Sequence, residues 1–125
     1  TTIRLKGETA PHGAQQHTLN TTIAVVATNA RLSKGECYRL AVMAQAGMAR
    51  AVYPIHSPLD GDTVFAISTA DAPAPVSHAA LARLGAEAAN CLSRAIARAV
   101  YEAEPAPHGW AGPPAYRTRF PEGFR

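Results

Sequence analysis

Eight consecutive residues, Thr21-Thr22-Ile23-Ala24-Val25-Val26-Ala27-Thr28, set the architecture open to this chain. The run is short, β-branched and almost continuously apolar, a pattern that predicts a strand buried on both faces rather than a surface strand. A second run of the same kind, Thr63-Val64-Phe65-Ala66-Ile67-Ser68-Thr69, predicts a second strand. Between them, Ser33-Lys34-Gly35-Glu36 has the form of a capping box, in which the Ser hydroxyl and Glu carboxylate satisfy backbone N–H groups left over at a helix start. Leu40, Met43, Ala44, Gly47 and Ala51 follow at helical spacing and predict a helix over 33–52, ended by Pro54. Its many Ala and Gly residues make it slim, able to approach a sheet or another helix closely.

A second long helix is predicted over 77–102. Ser77 caps it, and Leu81, Leu84, Ala88, Leu92, Ala95, Ile96 and Ala99 mark its buried face. Arg94, Arg98 and Glu102, four apart, lie on its wetter face. The order strand, helix, strand, helix predicts an α/β fold with helices laid on a sheet layer. Residues 1–20 read as a loop or arm, with a short strand at Thr2–Lys6, and residues 103–125, which hold half of the ten prolines and the one Trp, as an extended arm. A chain beginning at Thr1 without an initiator Met suggests a processed chain or a fragment with something upstream.

Composition excludes some partners. The apolar fraction is 47% and the charged fraction 17%, values of a folded domain. The net charge is +3, but the twelve basic residues are scattered and aromatics make up only 6%, so the concentrated stripe that binds nucleic acid is missing. No stretch of 18 apolar residues suggests a membrane span. Cys37 and Cys91 have no paired spacing and read as small buried hydrophobes with free thiols. The histidines, His12, His17, His56, His78 and His108, are too dispersed for a zinc site, and no metal or organic cofactor is called for. The cytoplasm is favoured over the periplasm.

Two places carry residues suited to chemistry. The first is Asn20-Thr21-Thr22, at the head of the first strand. Threonine is common at strand starts for packing reasons alone; it becomes a catalytic candidate when its own amine is free. A chain-terminal amine has an ordinary pKa of about 7.7–8.0 and can take the proton of the neighbouring hydroxyl. The second is Asp60-Gly61-Asp62, in the turn before the second strand. Glycine between the acids permits a tight backbone, with both carboxylates facing one cavity; a plain solvated turn is the alternative. A calcium loop fits poorly, because the later ligands of such a loop are missing.

Taken together, the segment 20–29, the run Asp60-Gly61-Asp62-Thr63-Val64-Phe65-Ala66 and the later Pro114-Ala115-Tyr116-Arg117 resemble the self-cleaving L-aminopeptidase/D-esterase family, nearest to its nylon-oligomer hydrolase branch. The resemblance covers about residues 15–120. It implies an α-β-β-α sandwich of the N-terminal-nucleophile type, of which this chain supplies part. In that frame residues 1–20 end the large subunit, 21–102 form the nucleophile-bearing core and 103–125 are the Pro-rich C-terminal arm. The Asn20–Thr21 bond matches the self-cleavage site, and Thr21 the nucleophile that cleavage liberates. Asp60 and Asp62 match two acids that hold and polarise it. Many aminopeptidases of the family instead have Ser as nucleophile, with Ser and Glu at the later positions.

The resemblance further implies a hydrolase for small peptides, amino-acid amides or 6-aminohexanoate-type oligomers, acting through an acyl-enzyme. Its partners would be the missing large subunit and further copies, as an oligomer of heterodimers. An acyl transferase of the ornithine-acetyltransferase type and a non-catalytic assembly subunit that is never cleaved are the competing readings. Thr1-Thr2-Ile3 mimics Thr21-Thr22-Ile23, but Arg4 and Lys6 interrupt the apolar run, so Thr1 is set aside as nucleophile.

Overall fold

The computed structural model describes residues 21–58, 60–105, 107 and 114–124. The predicted strand at Thr2–Lys6, the rival Thr1 and Asn20 lie outside the described residues. Strand β1 (Ile23–Thr28) leads to helix α1 (Lys34–Ala51), strand β2 (Thr63–Ser68) and the 25-residue helix α2 (His78–Glu102). A short helix α3 (Tyr116–Arg119) and a single 3₁₀ turn (Pro121–Phe124) follow. Among the described residues β1 and β2 form one two-stranded parallel sheet, with Ile23 opposite Thr63 and Thr28 opposite Ser68.

The helix starts follow from their caps. The Ser33 hydroxyl accepts from the Glu36 N–H, and the Glu36 carboxylate accepts in return from the Ser33 N–H, at 2.8 Å, and from its hydroxyl. Those bonds, the backbone one foremost, hold Glu36 below the usual carboxylate range. The Ser77 hydroxyl caps α2 by accepting from the Ala80 N–H. The far ends of the two strands are tied by Ser68, whose hydroxyl donates to the Ala30 carbonyl at 2.6 Å and accepts from the N–H groups of Leu32 and Ala70.

Both helices cover the same face of the sheet. Leu40, Ala44 and Met48 of α1 pack with Val64 of β2 and with Ala88 and Leu92 of α2, and Ala24, Val26 and Ala66 complete that layer from the sheet. The expectation that the first strand is buried on both faces is therefore corrected. Its residues alternate between half-buried and exposed, and Ile23, Val25, Phe65 and Ile67 leave the opposite face open, at 70%, 58%, 54% and 52% exposure. Their apolar character is that of an inner face, but no described segment lies over it.

The slimness of the helices is used where they cross. A Cβ built on Gly47 of α1 would fall on the Ala89 backbone of α2, 2.7 Å from its carbonyl carbon and 2.9 Å from its Cα. Most of the predicted stripe is buried as expected, with Leu40, Ala44 and Gly47 in α1 and Leu81, Ala88 and Leu92 in α2, and the differences lie at single positions. Ala41 and Met48 replace Met43 and Ala51 in α1, while Gly85 and Ala89 are buried in α2 and Ala95 and Ala99 are exposed. Gly47→Ala should gain about 1 kcal/mol of helix propensity yet lose more by forcing two backbones apart. A net destabilisation of about 1–3 kcal/mol is expected in denaturant unfolding. Gly85→Ala meets mainly the mobile end of Met43, whose sulfur and methyl can move aside, and should cost less.

Two further expectations change. Cys91 is exposed and Cys37 only half-buried, although both thiols are free. Cys91 faces an open groove of about 270 Å³ between α2 and β1, where the small side chains Ala27, Ala88 and Ala95 leave space. In the C-terminal arm, Tyr116–Arg119 is helical rather than extended and folds back on α2. Arg117 stacks its guanidinium 4.9 Å from the Tyr101 ring centre, donates to the Tyr101 carbonyl at 3.0 Å and pairs with Glu102, which also pairs with Arg98.

Candidate functional site

The candidate site forms where the parallel ladder begins. Hydrogen bonding starts one residue ahead of β1, with the Thr63 N–H donating to the Thr22 carbonyl at 2.9 Å. The register that pairs Ile23 with Thr63 also brings Asp62 beside Thr22, 40 residues earlier. One step further back it brings Gly61 against Thr21. Asp60 and Asp62 thus flank, in sequence, the residue that meets Thr21.

The Asp62 carboxylate joins two backbone segments. One oxygen accepts from the Thr22 N–H at 2.8 Å, and the other from the His56 N–H at 3.3 Å. His56 has φ 53°, in the left-handed region that costs a side-chain-bearing residue some strain. Its bond to Asp62 helps hold that turn, whose other end is closed by the Asp60 N–H donating to the Ser57 carbonyl at 2.9 Å. Because charged acceptors make the stronger hydrogen bonds, a carboxylate is well suited to pinning a strand head to the connector between α1 and β2, residues 52–62.

Thr21 continues the alternation of β1 and is exposed like Ile23 and Val25, on the face the helices do not cover. Its side chain lies against Gly61: a Cβ built there would stand 2.8 Å from the Thr21 Oγ1. The hydroxyl therefore sits at the mouth of the open sheet face, beside a residue with no side chain.

Of the residues singled out from sequence, the structure brings Asp62 to the strand head, but onto the amide of Thr22. Asp60 is half-buried beside Gly61, and its N–H donates to the Ser57 carbonyl. Sequence reasoning missed the amides of Thr22 and His56 and assigned Gly61 only a turn role. A spacing of 40 between partners in a parallel pair was the signal available for Thr22. Among the described residues no three of His, Cys, Asp and Glu cluster closely enough to hold a metal ion, and no helix is long and apolar enough to cross a membrane.

The sequence matches the model of peptidase family S58 over residues 2–110. It is similar to an uncharacterized aminopeptidase of Mycobacterium tuberculosis, with 43% identity over an alignment covering 92% of this chain and 35% of that protein. An uncharacterized aminopeptidase of Mycobacterium leprae is 46% identical over 85% of this chain and 31% of its own length. A 6-aminohexanoate-oligomer endohydrolase of Paenarthrobacter ureafaciens is 38% identical over 46% of this chain and 16% of its own length. The chain thus spans about a third of the length of the first of these relatives.

Proposed function

Because this chain belongs to peptidase family S58, we propose that it is the nucleophile-bearing part of an amide hydrolase that cuts itself between Asn20 and Thr21. The observation that carries this reading is the Thr21 hydroxyl, held at the head of β1 on the open sheet face while Asp62 fixes the next amide at 2.8 Å.

In the precursor, the Thr21 Oγ1 attacks the Asn20 carbonyl carbon. The C–O bond forms, the C–N bond breaks, and the departing Thr21 nitrogen takes up the hydroxyl proton, leaving an ester. Water hydrolyses that ester, so Asn20 ends in a carboxylate and Thr21 regains its hydroxyl beside a free amine. In the mature enzyme the amine accepts the hydroxyl proton as Oγ1 attacks a substrate amide, and the leaving amine is protonated in turn. Water then releases the acyl group. Small peptides, amino-acid amides and ω-amino-acid oligomers are the substrate class, in keeping with relatives named as aminopeptidases and as a 6-aminohexanoate-oligomer hydrolase. Asp60 and Asp62 orient the Thr21 head, Asp62 through its bond to the Thr22 N–H.

The same reading gives the open sheet face an occupant. Parallel sheets are ordinarily covered on both sides. The relatives are about three times longer than the part matched here, and the upstream part of the protein would supply a second sheet and further helices, completing an α-β-β-α sandwich over Ile23, Val25, Phe65 and Ile67. Phe65→Asp should then place an unpaired charge in that interface and destabilise the full-length protein by on the order of 3 kcal/mol. Tyr38→Asp, at a residue 72% exposed on α1, should change little. Equal melting temperatures for the two variants would show that the sheet face stays in water. The self-cleavage itself is tested by the intact mass of the full-length protein at neutral pH, where two fragments, the smaller beginning at Thr21, are expected.

A further inference from the structure

We infer that Gly61 is a positioning residue for the nucleophile, its missing side chain being what lets the Thr21 hydroxyl occupy its place. The inference rests on Thr21 being the nucleophile but adds a residue and a physical role to that reading.

Glycine is used for two different reasons, and the geometry here separates them. The backbone of Gly61 does not adopt the positive φ that excludes other residues, so the turn itself does not require glycine. What requires it is space. An ideal Cβ at position 61 would lie 2.8 Å from Thr21 Oγ1, 3.4 Å from its Cγ2 and 3.7 Å from its Cβ. Even side chains directly opposite one another in an antiparallel pair ordinarily keep their Cβ atoms about 4.5–5.5 Å apart. The head of β1 and the connector therefore approach more closely than a regular ladder allows. Gly35 and Gly123, by contrast, face open space.

If a methyl group were added, one of the two sides would have to yield. The connector is held by its own bonds: Asp60 N–H to Ser57, Thr22 N–H to Asp62, Thr63 N–H to Thr22 and the Thr63 hydroxyl to the Gly61 carbonyl at 3.0 Å. The Thr21 side chain has a single rotatable bond and no such restraint among these contacts. Rotation about χ1 is thus the easier release, and it carries the hydroxyl away from its present place. Displacement of a reacting atom by about 1 Å costs on the order of 100-fold in rate.

The test is made on the full-length protein. Gly61→Ala should slow both Asn20–Thr21 cleavage and amide hydrolysis by about 100-fold, with kcat reduced and KM unchanged. A stability cycle reads the contact independently of activity, in two uncleaved backgrounds. Thr21→Val keeps the branched side chain without the nucleophile, and Thr21→Ala removes both groups that the new methyl would strike. Gly61→Ala should lower Tm by several degrees in the first and leave it unchanged in the second. Cleavage at the parental rate in Gly61→Ala, or equal losses of Tm in both backgrounds, would overturn the inference. Cleavage that persists in Thr21→Val and Thr21→Ala would instead remove the nucleophile assignment, while the cycle still reports whether Gly61 is reserved for Thr21.

Discussion

Thr21→Ala is expected to leave the full-length protein as one uncut chain, where the parent yields two fragments by intact mass. Without Oγ1 nothing at this position can attack the Asn20 carbonyl, and the substitution removes little else. Thr21 is exposed, so its loss leaves no cavity in the core, and the bond that fixes the strand head is made by the neighbouring amide. Tm should accordingly stay close to that of Thr21→Val, the isosteric variant that also lacks the hydroxyl. Amide hydrolysis should fall by about 10⁴-fold or more, as when an activated nucleophile is deleted. Thr21→Ser retains the hydroxyl and should still cleave. In the parent, hydrolysis should rise with pH as the liberated amine loses its proton, because only the neutral amine can accept the hydroxyl proton. A Thr21→Ala protein that still breaks at the same bond would show that the nucleophile lies elsewhere.

The elements themselves were legible because their signals are local. A capping box at Ser33–Glu36 and a serine cap at Ser77 fixed both helix starts to within a residue, and both β-branched runs became strands. What escaped was relational. Ala41 and Met48 of α1 and Gly85 and Ala89 of α2 join the buried stripes unannounced, with Gly47 against the Ala89 backbone where the helices cross, and nothing in one helix alone records where its partner will cross. The apolar run in β1 read as doubly buried, which describes its residue types correctly. The cover over Ile23 and Val25 is a matter of what else packs there, and that is not written within the run.

At the site, the sequence pointed to the neighbourhood, and the structure adds contacts that residue types alone did not name. Two aspartates bracketing a glycine suggested carboxylates facing one cavity, and the family resemblance implied that they hold the Thr21 head. The parallel register sets Gly61 against Thr21 and brings Asp62 onto the Thr22 amide. An acid at this position therefore acts on a backbone N–H, a group every residue carries, so side-chain chemistry alone could not name the partner. Gly61 was read as a turn former for the same reason. Its use becomes visible only when the other strand is brought alongside.

Substitutions at Asp62 should distinguish a positioning carboxylate from one whose charge is itself needed. Among the described residues its two oxygens accept from two backbone donors in different surroundings: Thr22 is half-buried, whereas His56 is an exposed residue. Asparagine offers a single oxygen. That oxygen should turn to Thr22, where an unpaired N–H would cost about 1–3 kcal/mol, and leave His56 to solvent. Asp62→Asn should therefore hold the strand head through a weaker, neutral bond, with cleavage and hydrolysis reduced about 10-fold. Asp62→Ala leaves Thr22 without that acceptor, lets the head of β1 and its hydroxyl drift, and should reduce both rates by about 100-fold with a clear loss of Tm. The order alanine worse than asparagine, in kcat and in Tm together, is the signature of positioning. If asparagine is as damaging to kcat as alanine while Tm is kept, the negative charge acts on the reaction directly. If neither variant alters cleavage, the bond at Thr22 belongs to the fold alone.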